Sequence, residues 1–366
     1  MAQQREQLQN MVPPLLDWFR DNARVLPWRS DPQPYKVWVS EIMLQQTRVA
    51  AVLGYFARFL DRLPTVDDLA KVEEDELLKL WQGLGYYNRA RNLQKAARQI
   101  MSDFGGIFPS SYEEIIKLSG VGDYTAGAIA SIAFGEAVPA VDGNVLRVIT
   151  RVTGDRSDIG KPETKANIRA SLLEVIPTAF PGQFNQALME LGALVCLPNG
   201  APLCESCPLK ELCKAHLEGL TDQIPVKEKK KARRVEERTV CLIFREGKVA
   251  LRQRPKKGLL AGLWEFPHFL EGEDCLKDWA LAVEKTEEGC AAKHIFTHIE
   301  WHMSALRIYL KDDRLPPGWV WADARELDEI YAVPNAFSGF REEVAMGLRG
   351  SRGEQCSPGG TGCVFA

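Results

Sequence analysis

The feature that most constrains the fold is a glycine-rich turn between two apolar runs, LSGVGDYTAGAIASIAFGEAVPAVDGNVLR at 118–147. Gly120 and Gly122 suit backbone positions that need a positive φ or a close approach to another group. The run 124–134 is rich in Ala and Ile and predicts a buried helix. Backbone N–H groups exposed at such a turn form an anion site that fits a phosphate.

A carboxylate, Asp142, follows the second run after a largely apolar loop. Its position predicts that it caps a helix starting near Asn144 and faces the same side as the turn. The turn alone also fits an ordinary corner between two helices that binds nothing. The carboxylate beside it is what favours a functional site.

Four of the nine cysteines lie close together, separated by seven, two and five residues. The N-terminus lacks the apolar core of a secretory signal, and in such a chain this spacing favours metal ligation over disulfides. On spacing alone, structural zinc and an iron–sulfur cluster fit equally well, and four buried free thiols are the simpler alternative. The four residues are Cys196, Cys204, Cys207 and Cys213.

The length of 366 residues predicts two or three domains. Helical spacing of apolar residues gives way to strand-like alternation in the second half, where helices are also expected at 276–284 and 336–348. The prediction is an all-α region followed by an α+β domain. The expected parts are a helical region at 1–220, a charged linker at 221–237, the α+β domain at 238–348 and a Gly/Ser-rich, disordered tail at 349–366.

The formal net charge of −3 gives no sign of nucleic-acid binding by itself. The charges are unevenly distributed, however: residues 81–101 include four basic side chains and no acidic one, and 227–238 is also rich in Lys and Arg. Each run also fits a solvated face or a linker, but a polarised surface suits a phosphate backbone. No apolar run is long enough to span a membrane, so we expect a cytoplasmic protein.

The segment 118–147 resembles the helix-hairpin-helix DNA glycosylases, whose hairpin grips a DNA phosphate. Ser119 stands where the family usually has proline, a change that removes no backbone donor. The resemblance implies an all-α glycosylase domain, with the hairpin near 116–134 and a monovalent or divalent cation bound there. It also implies that Asp142 faces the sugar of a flipped nucleotide. The implied phosphate contacts are Gly120, Val121 and Gly122.

The cysteine spacing is similar to that of the endonuclease III and adenine glycosylase members, which hold a four-iron four-sulfur cluster. Here the first loop, 197–203, is one residue longer and carries no charge. The resemblance therefore implies one such cluster, in a module at 186–220, but gives no support for a DNA contact from this loop. The implied ligands are Cys196, Cys204, Cys207 and Cys213.

Glu41 lies among apolar residues, where burial would raise its pKa and keep it a proton donor. An isolated glutamate at this spacing would more simply be a surface residue. The whole segment 26–47, however, resembles the adenine DNA glycosylase (MutY) branch of the family. In that branch the matching glutamate protonates the leaving adenine, a role that falls here on Glu41. The implied base pocket contains Trp28, Arg29 and Gln186.

Bifunctional members of the family carry a lysine where this chain has Tyr124. An amine can attack the sugar carbon and a phenol cannot, which predicts a monofunctional enzyme. The resemblance implies that Tyr124 stabilises Asp142 or the sugar cation, and that Asn144 holds Asp142 or the attacking water. It implies minor-groove contacts with a wedge between base steps at Tyr86, which otherwise fits a core aromatic equally well. These contacts are Gln46, Leu84 and Tyr86.

The segments 258–267 and 294–298 resemble the Nudix-like domain of adenine glycosylases, which recognises 8-oxoguanine. The REUxEE signature of true Nudix hydrolases is missing from 258–289, so we expect this domain to bind and not to hydrolyse. A threonine replaces the usual serine of the recognition loop, which keeps the hydroxyl and adds a methyl group. The implied recognition residues are Phe296, Thr297 and His298.

These matches cover about residues 10–345. They imply a base excision repair enzyme that removes adenine mispaired with 8-oxoguanine or guanine in double-stranded DNA. Glu41 would protonate the base, and Asp142 would stabilise the oxocarbenium-like sugar. The resemblance implies a bacterial, nucleoid-associated monomer whose protein partners are the replication clamp or mismatch-repair proteins.

Three other functions compete with this interpretation. An endonuclease III-type glycosylase/lyase needs the amine that Tyr124 replaces. A non-catalytic lesion-binding protein would not need to keep both Glu41 and Asp142. A Nudix nucleotide hydrolase needs the complete REUxEE signature, which the chain lacks.

Overall fold

The computed structural model describes residues 2–228, 232–273 and 275–350. The predicted tail lies almost entirely outside the described residues. The chain forms two compact units, the first made of 1–72 and 88–230 and the second of 73–87 and 231–366. Among the described residues, no helix is both long enough and apolar enough to cross a lipid bilayer.

The first unit is helical, as its apolar spacing predicts. Helices are numbered in order along the chain, so the series below includes α6, which belongs to the second unit. In order, they are α1 Ala2–Asn22, α2 Pro27–Ser30, α3 Pro34–Leu44, α4 Val49–Arg62, α5 Val66–Lys71, α6 Glu74–Leu80, α7 Asn88–Asp103, α8 Tyr112–Ile115, α9 Asp123–Phe134, α10 Gly143–Thr153, α11 Pro162–Leu173, α12 Pro181–Leu194 and α13 Lys214–Leu217.

Helices α9 and α10 confirm the prediction made from the glycine-rich turn. Helix α9 has small or apolar side chains on nearly every face. It is buried from Thr125 to Ser131, as expected for a core helix. It ends at Gly135, whose φ of 71° forms a left-handed C-cap. Helix α10 starts directly after Asp142, whose side chain accepts hydrogen bonds from two backbone N–H groups. The predicted N-cap is therefore present.

The second unit is built on a mixed seven-stranded sheet in the order β3-β2-β1-β6-β5, with β4 paired to β1 and β7 paired to β2. Strands β1 and β6 run parallel, whereas the other pairs are antiparallel. The strands are β1 Arg234–Arg245, β2 Lys248–Gln253, β3 Trp264–Glu265, β4 His268–Leu270, β5 Val283–Ile295, β6 Ile299–Leu310 and β7 Trp319–Ala322. The helices are α14 Cys275–Asp278, α15 Ala324–Glu329 and α16 Arg341–Gly350, with a 3₁₀ turn at Asn335–Phe340.

One predicted helix of this unit was placed wrongly and one strand was not predicted. The helix expected at 276–284 is only the short α14, and strand β5 begins at Val283. Strand β5 is an edge strand with most side chains exposed, and its register against β6 shifts between Glu288 and Ala291. Because such a strand is neither clearly alternating nor buried, its sequence carries little strand signal.

Candidate active site

The first unit contains a cavity of about 340 Å³ that gathers side chains from α2, α3, α9, α10 and α12. Small-ligand pockets are typically about 300–1,000 Å³. Seven residues predicted from the sequence to act on the base or the sugar line this one cavity. They are Trp28, Arg29, Glu41, Tyr124, Asp142, Asn144 and Gln186.

Glu41 lies on the buried face of α3 and is 5% exposed. Burial raises the pKa of Glu41 to about 7; a hydrogen bond from Tyr124 opposes this rise, the charge of Asp142 adds to it and Arg29 opposes it. A carboxyl group with this pKa holds its proton in part at neutral pH, as a general acid requires.

Tyr124 lies in the first turn of α9, and its hydroxyl donates a short hydrogen bond to Glu41 Oε2. The sequence interpretation placed Tyr124 beside Asp142 or the sugar cation, whereas the structure gives its hydroxyl to Glu41. Burial raises the pKa of Tyr124 well above its ordinary value, with the charges of Glu41 and Asp142 adding to the rise. The group therefore stays a neutral phenol and offers no nucleophile.

Asp142 is held in place by three donors. Its Oδ1 accepts hydrogen bonds from the backbone N–H groups of Asn144 (2.9 Å) and Val145 (2.8 Å). Its Oδ2 accepts one from Asn144 Nδ2 at 2.7 Å. Burial raises the pKa of Asp142, while these hydrogen bonds oppose the rise. Asn144 thus orients Asp142, as the sequence interpretation proposed.

Arg147 extends this network toward the cysteines and was missed by the sequence analysis. Its Nη2 donates to Asn144 Oδ1 (2.9 Å) and to the Gly192 carbonyl (2.7 Å), and its Nε donates to the Cys196 carbonyl (2.7 Å). Arg147 is 7% exposed. The sequence did contain a signal, which is a basic residue inside an apolar helical run. Such a residue is expected to be buried, and a buried charge needs polar partners.

Glu190 is a second residue that the sequence analysis missed. It is 1% exposed, lines the same cavity and accepts hydrogen bonds from Arg24 (2.7 Å) and Arg29 (2.8 Å). Burial by itself raises the pKa of Glu190, but the bonds from Arg24 and Arg29 outweigh it and hold the pKa at about 2. Arg29, predicted as a base-pocket residue, is therefore neutralised and fixed in position by Glu190.

The hairpin between α8 and α9 needs glycine at one position. Gly120 has a φ of 74°, and an added Cβ there would lie 2.5 Å from Asn92 Cβ. Gly122 is in an extended conformation and precedes the first residue of α9. The turn thus presents backbone at the N-terminus of a twelve-residue helix, which is the geometry of an anion site.

Two predicted minor-groove residues have backbone conformations that side chains rarely adopt. Gln46 has a φ of 60° and Tyr86 a φ of 47°. Such strain is concentrated at functional sites, where the surrounding structure maintains it. Tyr86 is 51% exposed, whereas Leu84, the third predicted residue, is 6% exposed. Arg89 Nη1 fixes the loop of Gln46 by donating to the carbonyl of Gln45 at 2.6 Å.

The four predicted ligand cysteines line one small cavity next to Arg151, whose Nη1 lies 3.2 Å from Cys196 Sγ. Among the described residues, no group of three or more His, Cys, Asp or Glu side chains is arranged to hold a single metal ion. Four cysteine thiols that line one small cavity are a donor set that fits an iron–sulfur cluster and also a structural zinc ion.

The predicted recognition loop forms the tip of the β5–β6 hairpin in the second unit. Phe296 packs edge-on against Trp301, with ring centroids 4.8 Å apart, and its N–H donates to the Ile299 carbonyl at 2.8 Å. Thr297 and His298 are exposed at the tip. The hairpin thus fixes one aromatic ring and presents two polar side chains.

Nearly the whole chain is similar in sequence to proteins named adenine DNA glycosylases. It is 34% identical to the adenine DNA glycosylase of Rattus norvegicus over 94% of this chain and 80% of that protein. It is 36% identical to the adenine DNA glycosylase of Homo sapiens over 94% of this chain and 76% of that protein. This chain belongs to the adenine DNA glycosylase family.

Domain and structure comparisons agree with this membership and confirm the predicted fold class. Residues 39–177 match the HhH-GPD superfamily of base excision DNA repair proteins, and residues 239–342 match a NUDIX domain. A thermostable thymine-DNA glycosylase is 28% identical, with a TM-score of 0.53 over 58% of this chain and 98% of that one. A trapped endonuclease III–DNA covalent intermediate is 27% identical, with a TM-score of 0.51 over 59% of this chain and 98% of that one.

Family membership identifies the chemistry in general terms. As an adenine DNA glycosylase family member, the chain is a hydrolase of N-glycosidic bonds that acts on DNA in base excision repair. The HhH-GPD match contains Glu41, Tyr124, Asp142 and the hairpin, and the NUDIX match contains the recognition loop.

Proposed function

We propose that this enzyme is a monofunctional glycosylase that excises adenine mispaired with 8-oxoguanine, or with guanine, in duplex DNA. The observation that carries the proposal is that Glu41 and Asp142 line one buried cavity with Tyr124 between α3 and α10. Adenine is stacked and paired in a duplex, so it would have to be flipped into this cavity.

In the proposed reaction Glu41 delivers its proton to the adenine ring, at N7, so that the base leaves as a neutral molecule. The bond from the base to C1′ breaks, and positive charge develops on the sugar. Asp142, held by Asn144 and the N-terminus of α10, stabilises that charge. Water then adds to C1′ and gives up one proton, which restores the proton that Glu41 delivered to the base. A raised pKa on Glu41 and three donors on Asp142 support these separate roles.

The absence of an amine nucleophile at Tyr124 supports a monofunctional reaction. A Schiff base needs a lysine, whereas the Tyr124 hydroxyl is occupied by Glu41. The product would be an abasic site in an unbroken strand. The proposed role of Tyr124 is to orient the Glu41 carboxyl group.

We propose that the hairpin and the two strained loops each contact DNA. The backbone of Gly120, Val121 and Gly122 would hold a phosphate, with a bound cation at the hairpin as the sequence predicts. Gln46 and Tyr86 would enter the minor groove, with Tyr86 as the wedge. The low exposure of Leu84 makes it a support for this loop in the described structure.

We propose that the four cysteines hold one four-iron four-sulfur cluster. The cluster, when bound, would supply structural rigidity to the module after α12, since its ligands lie outside the base cavity. Arg147 joins the backbone of Cys196 to Asn144, so the module would also help to fix Asp142.

We propose that Phe296, Thr297 and His298 recognise 8-oxoguanine opposite the adenine. Single-turnover cleavage of matched duplexes with adenine opposite 8-oxoguanine, guanine or thymine tests this proposal. Adenine should be released fastest opposite 8-oxoguanine, more slowly opposite guanine and least opposite thymine. Equal rates on the three duplexes would contradict it. A replication clamp or mismatch-repair partner stays a prediction from the resemblance.

A further inference from the structure

Residues 73–87, here called the wedge segment, contact the rest of the second unit through hydrogen bonds from side chains to backbone carbonyls. Each bond joins this segment to residues at 327–335, far away in the sequence. The donors are Lys79 Nζ to the carbonyls of Leu327 (2.9 Å) and Tyr331 (3.2 Å), Gln82 Nε2 to the carbonyl of Val333 (2.7 Å), and Asn335 Nδ2 to the carbonyl of Gly83 (3.2 Å).

The tip of the wedge segment is fixed in an unusual conformation. Gly85 and Tyr86 both have positive φ, of 70° and 47°. Trp81 Nε1 donates to the Gly85 carbonyl at 3.1 Å and closes the turn. The Tyr86 ring is therefore presented to solvent by a braced loop and not by a freely moving one.

The Tyr86 hydroxyl lies 3.3 Å from Thr297 Oγ1, within hydrogen-bonding distance. This contact joins the proposed wedge to the proposed recognition loop. Both groups can donate and accept, so the contact is kept whichever hydroxyl supplies the proton. Thr297 is also the position at which this chain departs from the usual serine.

We propose that the wedge segment takes part in lesion recognition. In this proposal the Tyr86–Thr297 hydrogen bond fixes the position of the Tyr86 side chain relative to loop 296–298. This inference rests on the proposed function. When the Tyr86 side chain is held in this position, it opens the duplex next to the base that Thr297 is proposed to recognise. Discrimination between 8-oxoguanine and guanine thus depends on both hydroxyls together, and not on each one separately.

A double-mutant cycle tests the inference with the full chain. The measured quantity is the ratio of affinities for duplexes with 8-oxoguanine or guanine opposite a non-cleavable adenine analogue. Tyr86→Phe and Thr297→Val each remove one hydroxyl and keep the shape of the side chain. Each should reduce the ratio by about fivefold, the usual effect of losing one hydrogen bond, and the double variant should reduce it no further.

Independent losses would overturn the inference, because the double variant would then show the product of the two single effects. If the unaltered enzyme shows no preference for 8-oxoguanine, the proposed function fails first. If it shows the preference and the two losses multiply, only the wedge inference fails.

The anchor residues give a second test that leaves both hydroxyls in place. Lys79→Met and Gln82→Ala should each lower the same ratio by several-fold relative to the unaltered enzyme. Lys71→Met is the matched control, since its ammonium pairs with Asp67 on the exposed surface of α5. A ratio equal to that of the control in both anchor variants would contradict the inference.

Discussion

Glu41 and Asp142 line one cavity, but their surroundings suit them to different tasks. Glu41 is surrounded by apolar side chains and accepts one side-chain hydrogen bond from Tyr124. Asp142 stands at the N-terminus of a helix and accepts three hydrogen bonds, all of which favour its charged form. Because burial raises the pKa of both groups, it is the three donors on Asp142, against one on Glu41, that distinguish their surroundings.

Removing the proton of Glu41 should stop excision and spare binding. Glu41→Gln keeps the size of the side chain but cannot deliver a proton, so adenine release should fall by at least about a hundredfold, within the usual range for a general acid. Single-turnover assays measure the rate, and gel-shift titration measures DNA affinity. Asp67→Asn, an exposed carboxyl group on α5, is the control. A loss of only a few-fold in Glu41→Gln would show that another group is the acid.

Asp142→Asn should also bind DNA and fail to release adenine. The amide keeps one acceptor for the backbone donors of α10 but cannot stabilise a sugar cation by charge. Base release and binding are measured on the same duplex. Near-normal release by this variant would remove Asp142 from the mechanism.

The rate of excision should depend on pH through Glu41. The acid form is needed and the pKa is about 7, so the rate should fall as the pH rises through that value. Because the bond from Tyr124 lowers the pKa of Glu41, Tyr124→Phe should move the midpoint of this fall to higher pH. The pH profile of the single-turnover rate measures the shift. An unchanged midpoint in Tyr124→Phe would mean that the bond does not tune Glu41.

At the scale of elements, the packing of α10 against α12 fixes Asp142, the proposed catalytic aspartate. Gly192 on α12 faces Asn144 so closely that an added Cβ would lie 2.5 Å from Asn144 Cβ. Asn144 in turn holds Asp142. A glycine that reads in the sequence as a weak point of a helix is therefore the residue that lets the two helices approach.

Gly192→Ala should displace Asn144 and reduce both the melting temperature and the rate of excision. Overpacking of this kind typically costs about 1–3 kcal/mol of folding free energy. Gly54→Ala is the matched control, because Gly54 is exposed on α4 and its added Cβ would meet only the flexible end of Arg58 at 3.4 Å. The control should be neutral or slightly stabilising. Thermal melts and single-turnover rates check both variants, and equal behaviour of the two would contradict the packing argument.

The sequence predicts local elements of the site better than it predicts their distant partners. The Asp142 cap and the turn at Gly120 depend on neighbouring residues, and both were predicted. The bond between Arg24 and Glu190 spans 166 residues, so nothing in the local pattern identifies it. Strand β5 was missed for a related reason, since only its pairing with β6 makes it a strand.

At the scale of the molecule, the proposed sites of base release and of lesion recognition lie in different units. The base cavity belongs entirely to the first unit, and loop 296–298 belongs to the second. The two family matches fall on these two regions, at 39–177 and 239–342. Damage to the recognition loop should therefore alter the choice of substrate and leave the chemistry intact.

His298→Ala is a suitable test of this separation because His298 is exposed and its loss should not disturb the fold. The preference for adenine opposite 8-oxoguanine over adenine opposite guanine should decrease by several-fold. Single-turnover rates with enzyme in excess of the DNA but below saturation measure the preference, and a thermal melt verifies folding. Full retention of the preference would assign lesion recognition to other residues.

The central claim is that this chain removes adenine by hydrolysis and leaves the strand unbroken. The most direct measurement follows a labelled duplex with adenine opposite 8-oxoguanine under single-turnover conditions, with free adenine quantified and the strand analysed with and without alkali. Borohydride is added to a parallel reaction. The account predicts released adenine, strand breaks only after alkali and no protein–DNA adduct trapped by borohydride. Strand cleavage without alkali, together with a trapped adduct, would contradict it.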